Sequence, residues 1–220
     1  MRVFRVPEKL RAVLFDMDAT LYENADYERA QVDLPVERLA RLRGKSVRDM
    51  AGEIARLRES LEGANGGRKT SLANVFAALG VGIEESVRWR NELLRPEDFL
   101  REDALLRAAL ARLAGSFALA VVTNNPGPVA ERTLAALGVA DLFRGGGRSR
   151  VVGLGACGVS KPHAAPYLMA AALCGAEPEA CLSAGDRYDI DIAIPLELGM
   201  GGILVEGVGD VYGLPDLLLG

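Results

Sequence analysis

Four short apolar runs constrain this chain most, because each stops abruptly at polar or turn residues. They are Ala12 to Phe15, ending at Asp16; Phe117 to Val122, ending in Thr123-Asn124-Asn125-Pro126; Cys181 to Ala184, ending in Gly185-Asp186; and Gly202 to Val205. Runs of this length read as buried strands. Between them, Glu102 to Leu113, Val129 to Leu137 and Ala165 to Leu173 are rich in Ala and Leu at helical spacing. Strand alternating with helix predicts an α/β, Rossmann-like, mostly parallel sheet with right-handed crossovers and helices on both faces. Ligands then bind beyond the carboxyl ends of the strands, where the residues closing the runs gather.

The stretch from Tyr22 to Phe99 breaks the alternation. Val36 to Leu61, Ser71 to Leu79 and Glu84 to Leu94 carry helical patterns, and Gly63-Ala64-Asn65-Gly66-Gly67 interrupts them. This predicts a core domain formed by residues 1–21 and 100–220, with an all-helical cap, residues 22–99, inserted over the strand ends as a lid. The glycines from Arg144 to Gly158 read as a turn-rich connection: the Lys-Ser/Thr ending of a phosphate-binding P-loop is missing, and no clear helix follows.

The chain has 220 residues and a net charge of −4. That is enough chain for a sizeable core, and its acidic balance calls for neither nucleic acid nor an anionic membrane. Three cysteines, Cys157, Cys174 and Cys181, show no paired spacing, which fits a reducing cytoplasm better than a disulfide framework or a zinc site. The first residues alternate basic and apolar without a signal-peptide core, and no apolar run reaches spanning length. A soluble cytoplasmic monomer or homodimer is the expectation.

Asp16 and Asp18, two residues apart at a strand end, repel each other unless a positive group lies close, and a divalent cation such as Mg2+ suits hard carboxylate ligands. Alone, the pair also fits a solvated acidic turn. Four pieces in order, Asp16-Met17-Asp18-Ala19-Thr20, Val121-Val122-Thr123-Asn124, Lys161-Pro162 and Gly185-Asp186-Arg187-Tyr188-Asp189-Ile190-Asp191, resemble the haloacid dehalogenase-like (HAD) hydrolase superfamily, phosphatase type with a helical cap. The likeness spans residues 12 to about 205. The spacers Leu134 to Phe143 and Ala193 to Met200 look like those of the capped members.

The resemblance implies a magnesium-dependent phosphatase in which Asp16 attacks phosphorus and becomes an aspartyl-phosphate, while Asp18 protonates the leaving oxygen and then activates water. It implies that Thr123 and Asn124 hold the phosphoryl oxygens and that Lys161 supplies fixed positive charge. Mg2+ would be held by Asp16, the Asp18 backbone carbonyl and Asp186, with Asp191 supporting from the second rank; Asp191 fits that spacing better than Asp189. Ala19 stands where the family commonly has Gly or Asn. Asp18 argues against dehalogenation, whose branch lacks this second acid.

The implied substrate is a small phosphorylated metabolite of the nucleoside monophosphate, sugar phosphate or phosphoglycolate class. The alternatives are a phosphomutase, or a catalytically silent regulatory protein, which would be expected to have lost one of the acids or Lys161. Gly67-Arg68-Lys69-Thr70-Ser71-Leu72-Ala73 looks somewhat like the cap loop of the pyrimidine 5′-nucleotidase branch, so Arg68 and Lys69 are the candidate specificity residues. His163 reads as a helix-start residue, Trp89 as cap core, and the cysteines as inert thiols.

Overall fold

The protein is described by a computed structural model covering residues 1–67 and 69–220. The strands are β1 (Arg2–Arg5), β2 (Ala12–Phe15), β3 (Ala118–Pro126), β4 (Arg144–Gly145), β5 (Arg148–Ser149), β6 (Val151–Leu154), β7 (Cys181–Gly185) and β8 (Gly201–Leu204). The helices are α1 (Ala25–Leu42), α2 (Val47–Ala64), α3 (Leu72–Ala78), α4 (Ile83–Leu93), α5 (Pro96–Phe99), α6 (Ala104–Ala114), α7 (Gly127–Ala136), α8 (Ala164–Cys174), α9 (Ala193–Glu197) and α10 (Val208–Leu219).

The main sheet runs β1-β8-β7-β2-β3-β6, parallel throughout except for β1, which pairs antiparallel with β8 at one edge. From β2 the chain winds outward to β3 and β6, then crosses back to β7 on the other side of β2. The switch point therefore lies at the carboxyl end of β2, where an open α/β sheet leaves a crevice. Asp16 is the next residue.

All four residues of β2 are buried, since helices cover both faces of the sheet. Val13 and Phe15 pack with Leu106, Leu110, Leu134 and Leu214, while Ala12 and Leu14 pack with Val152, Tyr167, Ala170 and Met200. Each fully buried Val, Leu or Phe side chain contributes about 1.5–3 kcal/mol. Burial of this kind pins the strand end that carries the acids.

Between β2 and β3 the described residues form only helices and connections. Val36, Leu39, Met50, Ile54, Val75, Phe76 and Trp89 build an apolar cluster of their own there, with Phe76 and Trp89 edge to face. The pattern read as one helix from Val36 to Leu61 is two, α1 and α2. Gly44 takes φ +61° between them, and the Ser46 side chain accepts from the Asp49 N–H to cap α2.

Two further elements depart from the sequence reading. The glycine-rich stretch 144–158 is partly ordered as the β4–β5 hairpin and as β6, a buried parallel strand of the main sheet. Gly153 within β6 is there because β3 passes so close that a Cβ would lie 2.4 Å from Gly127 N and 2.6 Å from the Asn125 carbonyl. The basic and apolar alternation at the amino end is β1.

Candidate active site

The residues closing β2, β3 and β7 meet at one end of the sheet. Asp16 is 4% exposed, and its N–H still donates to the Ala184 carbonyl, 2.9 Å, so the β2–β7 ladder extends into the site. Lys161 arrives from the segment before α8 and is 1% exposed. Its ammonium donates to Asp16 Oδ1 and to Asp191 Oδ1, both at 2.6 Å. Burial alone would lower this ammonium's pKa, but the two carboxylates reverse that and hold it above the usual lysine range.

Asn124 locks Lys161 in place: its Oδ1 accepts from the Lys161 N–H at 2.8 Å, and its Nδ2 donates to the Lys161 carbonyl at 3.3 Å. The side chain is thus a clamp, leaving the backbone as what Asn124 offers a ligand. Thr123, 3% exposed, accepts from the Asn125 N–H at 3.1 Å, and its hydroxyl proton stays free to donate.

Asp191 is 1% exposed and sits on a wide helical turn, Tyr188–Ile192. Its Oδ2 accepts from the Arg187 N–H at 3.1 Å, and its carbonyl accepts from Ser183 at 2.8 Å. Gly185 is required beneath it, since a Cβ there would come within 2.5 Å of the Asp191 Cβ. Asp189 is exposed and outside this group.

Carboxylate oxygens of Asp16, Asp186 and Asp191 lie within 4.8 Å of one another. Asp16 Oδ2 and Asp186 Oδ1 are buried without a hydrogen-bond partner. Two acceptors without hydrogen bonds beside a third acid fit a hard cation, the Arg187 guanidinium standing 3.7 Å from Asp186 Oδ1. Burial first, then the charge of Asp16, pushes the carboxyls of both Asp186 and Asp191 above the usual range.

Asp18 is held separately. Its carboxylate accepts from Tyr22 Oη, from Gln31 Nε2 at 2.9 Å, and from Asn125 Nδ2 at 2.9 Å to Oδ2. Burial, then Asp16, raises its pKa, and the Tyr22 and Gln31 hydrogen bonds oppose the rise. The turn that aims it passes through Ala19 at φ +55°, a left-handed conformation that glycine adopts freely. That backbone requirement accounts for a position where the side chain matters little.

Above the acids lies a cleft of about 350 Å³ between the strand ends and the inserted helices. Asp18, Ala19, Asn124, Asn125, Asp186 and Arg187 line it from the sheet; Glu28, Gln31, Arg58, Ser71 and Arg90 line it from the helices, among others. Arg90 spans the two sides, donating to the Asn124 carbonyl and to Asn125 Oδ1, each at 3.1 Å.

Lys69 is not among the residues that line this cleft: it is exposed and paired with Glu62 at 3.3 Å, while Arg58 is a lining residue. Arg68 lies outside the described residues. Tyr22, Gln31 and Asn125 escaped the sequence reading, whereas Arg58 and Arg90 stand among the cap's basic residues, from which Arg68 and Lys69 are preferred on sequence grounds. The available signal was a polar residue on an apolar stripe: Gln31 falls between buried Tyr27 and Pro35, and Arg90 beside buried Trp89. His163 caps α8, its Nδ1 accepting from the Ala165 N–H at 3.1 Å.

A parallel sheet with buried acids at its switch point and helices inserted directly after the first of them defines a protein that does chemistry at its strand ends. The chain belongs to the haloacid dehalogenase-like hydrolases, whose family model matches residues 10–199. The fold is similar to that of a HAD phosphatase from Thermococcus onnurineus, at 18% identity over 95% of this chain and 98% of that one, TM-score 0.61. It is also similar to the HAD-hydrolase YfnB from Bacillus subtilis, solved bound to magnesium, at 17% identity over 95% and 100%, TM-score 0.59. A 2-haloacid dehalogenase from Pseudomonas syringae shares 20% identity over 96% and 98%, TM-score 0.55. No curated protein matches the sequence significantly.

Proposed function

We propose that this protein is a magnesium-dependent phosphomonoester hydrolase working through an aspartyl-phosphate on Asp16. The observation that carries this reading is the difference in surroundings of two neighbouring acids. Asp16 is fixed to Lys161 through one oxygen while the other has no partner; Asp18 has a raised pKa and a fixed orientation at the cleft.

Asp16 attacks phosphorus in line as the ester P–O bond breaks, and Asp18 delivers its proton to the departing alkoxide. Asp18, now ionised, takes a proton from water, whose oxygen attacks the same phosphorus; the acyl-phosphate bond breaks, releasing inorganic phosphate and restoring Asp16. Lys161, the Thr123 hydroxyl and the Asn124 backbone face the charge on the phosphoryl oxygens. Asp16, Asp186 and the Asp18 carbonyl would hold Mg2+, with Asp191 steadying Lys161 and the Arg187 backbone; the ion supplies charge neutralisation.

In this reading residues 22–99 act as the cap that admits the ester. The three cysteines are free, and no helix among the described residues is long and apolar enough to cross a membrane, both in keeping with work in the cytoplasm. A dehalogenase has no use for Asp18 as an acid, so the second carboxylate favours phosphate esters over haloacids.

Phosphate release from a panel of monoesters, with Mg2+ and with chelator, beside a panel of 2-haloacids, is the test. The wild type should release phosphate only with Mg2+, and Asp16→Asn should lose at least about a thousandfold of it. Halide release without phosphate release, or full activity in Asp16→Asn, overturns the reading.

A further inference from the structure

The cleft carries more positive charge on its helical side than transfer of one phosphoryl group requires. Lys161, its backbone clamped by Asn124, already reaches Asp16 from the sheet side. Arg90 is engaged by two neutral oxygens of the Asn124–Asn125 turn, so its place is at the seam.

Arg58 differs. It lies on α2, lines the cleft, and its Nε is buried with no partner. Glu62, one turn further along α2, is taken: its carboxylate accepts from the Thr70 N–H at 3.1 Å and pairs with Lys69 at 3.3 Å. Glu28 is the one acid lining the cleft from the helices among the described residues, against Arg58 and Arg90, while Arg187 on the sheet side pairs with Asp186 at 3.7 Å.

A guanidinium at a cleft wall that no carboxylate among the described residues engages is free to grip a carboxylate or phosphate through two parallel hydrogen bonds. No aromatic side chain is among the described residues lining the cleft, and Trp89 is buried in the helical cluster, so a nucleobase finds nothing to stack on.

We propose that Arg58 reads a second anionic group, a carboxylate or a second phosphate, at the far end of a short phosphomonoester, so that preferred substrates carry an anion at each end. This rests on the hydrolase reading above and narrows its substrate class.

Three esters of one two-carbon frame make the test: ethylene glycol monophosphate with a neutral end, 2-phosphoglycolate with a carboxylate, and ethylene glycol bisphosphate. Wild-type kcat/KM for one or both anionic esters should exceed that for the neutral one by about tenfold or more, the size of a charge-assisted hydrogen bond. Which anionic ester leads tells carboxylate from phosphate.

Arg58→Gln should reduce the anionic-to-neutral ratio by about tenfold, with Arg58→Lys between. Lys69→Gln, a nearby loss of the same charge outside the cleft, should leave the ratio in place. Turnover of all three esters without wild-type discrimination overturns this inference alone, whether or not any variant folds. So does a ratio unchanged in a folded Arg58→Gln. Failure to hydrolyse any monoester with Mg2+ overturns the hydrolase reading, and this one with it.

Discussion

Asp18 is the residue whose chemistry its neighbours tune most directly. Burial and the nearby Asp16 raise its pKa, whereas the Tyr22 hydroxyl, by donating to the carboxylate, favours the ionised form. Tyr22→Phe removes that donor, and the Asp18 pKa should climb further. In the proposed mechanism Asp18 holds a proton to assist the leaving group, so activity should be lost as pH rises past its pKa. The alkaline limb of the kcat/KM profile should therefore move to higher pH in Tyr22→Phe. A limb that stays put or moves down would show that this carboxyl is not the acid of the first step. Gln31 and Asn125 hold the same group from α1 and from β3.

At the scale of elements, β6 shows how close packing at the rear of the site keeps its front in register. The backbone of Gly153 touches that of Asn125 and Gly127, where the β3–β6 register also shifts. Gly153→Ala must push these strands apart and should cost about 1–3 kcal/mol in urea unfolding, as overpacking does. Gly213, inside α10 with open space around its Cα, is the contrast: Gly213→Ala should be neutral or stabilise by about 0.5–1 kcal/mol, since glycine is costly within a helix. Equal effects of the two substitutions would remove close approach as the reason for Gly153.

Across the whole molecule, three acids share one buried space, and the Lys161 ammonium on Asp16 and Asp191 offsets only part of their mutual repulsion. Asp186, raised to about 7, and Asp191, raised to about 6, bind protons more tightly folded than unfolded. Without metal, stability from these groups is therefore full below the ordinary carboxylate range and is lost as pH rises through their folded values. If the proposed function is right, Mg2+ binds the ionised carboxylates and offsets that loss. The rise in Tm on adding Mg2+ should be larger at about pH 8 than at about pH 5. Thermal unfolding followed by circular dichroism at both pH values checks this, and an equal or reversed gain would mean the cluster does not take up the ion.

Asp16, Asp18 and Asp186 stand where short apolar runs end, and burial on both faces of a parallel sheet makes such runs conspicuous; Lys161 and Asp191 were picked out only by the family resemblance of their motifs. The α/β class and the helical insertion were legible for the same reason: hydrophobic periodicity is a local property. Strand β6 was not, because its glycines look like a loop until the Asn125 carbonyl of β3 is seen passing 2.6 Å from where a Cβ at Gly153 would be. Nor were Arg58, Arg90, Gln31 and Tyr22, whose roles depend on which face of a helix meets the strand ends, or the pairing of Lys69 with Glu62 outside the cleft lining. The sequence by itself determined where the clustered acids stand at the strand ends; only the tertiary structure decided which side chains from the inserted helices face them, because that choice is made by packing between segments far apart in the chain.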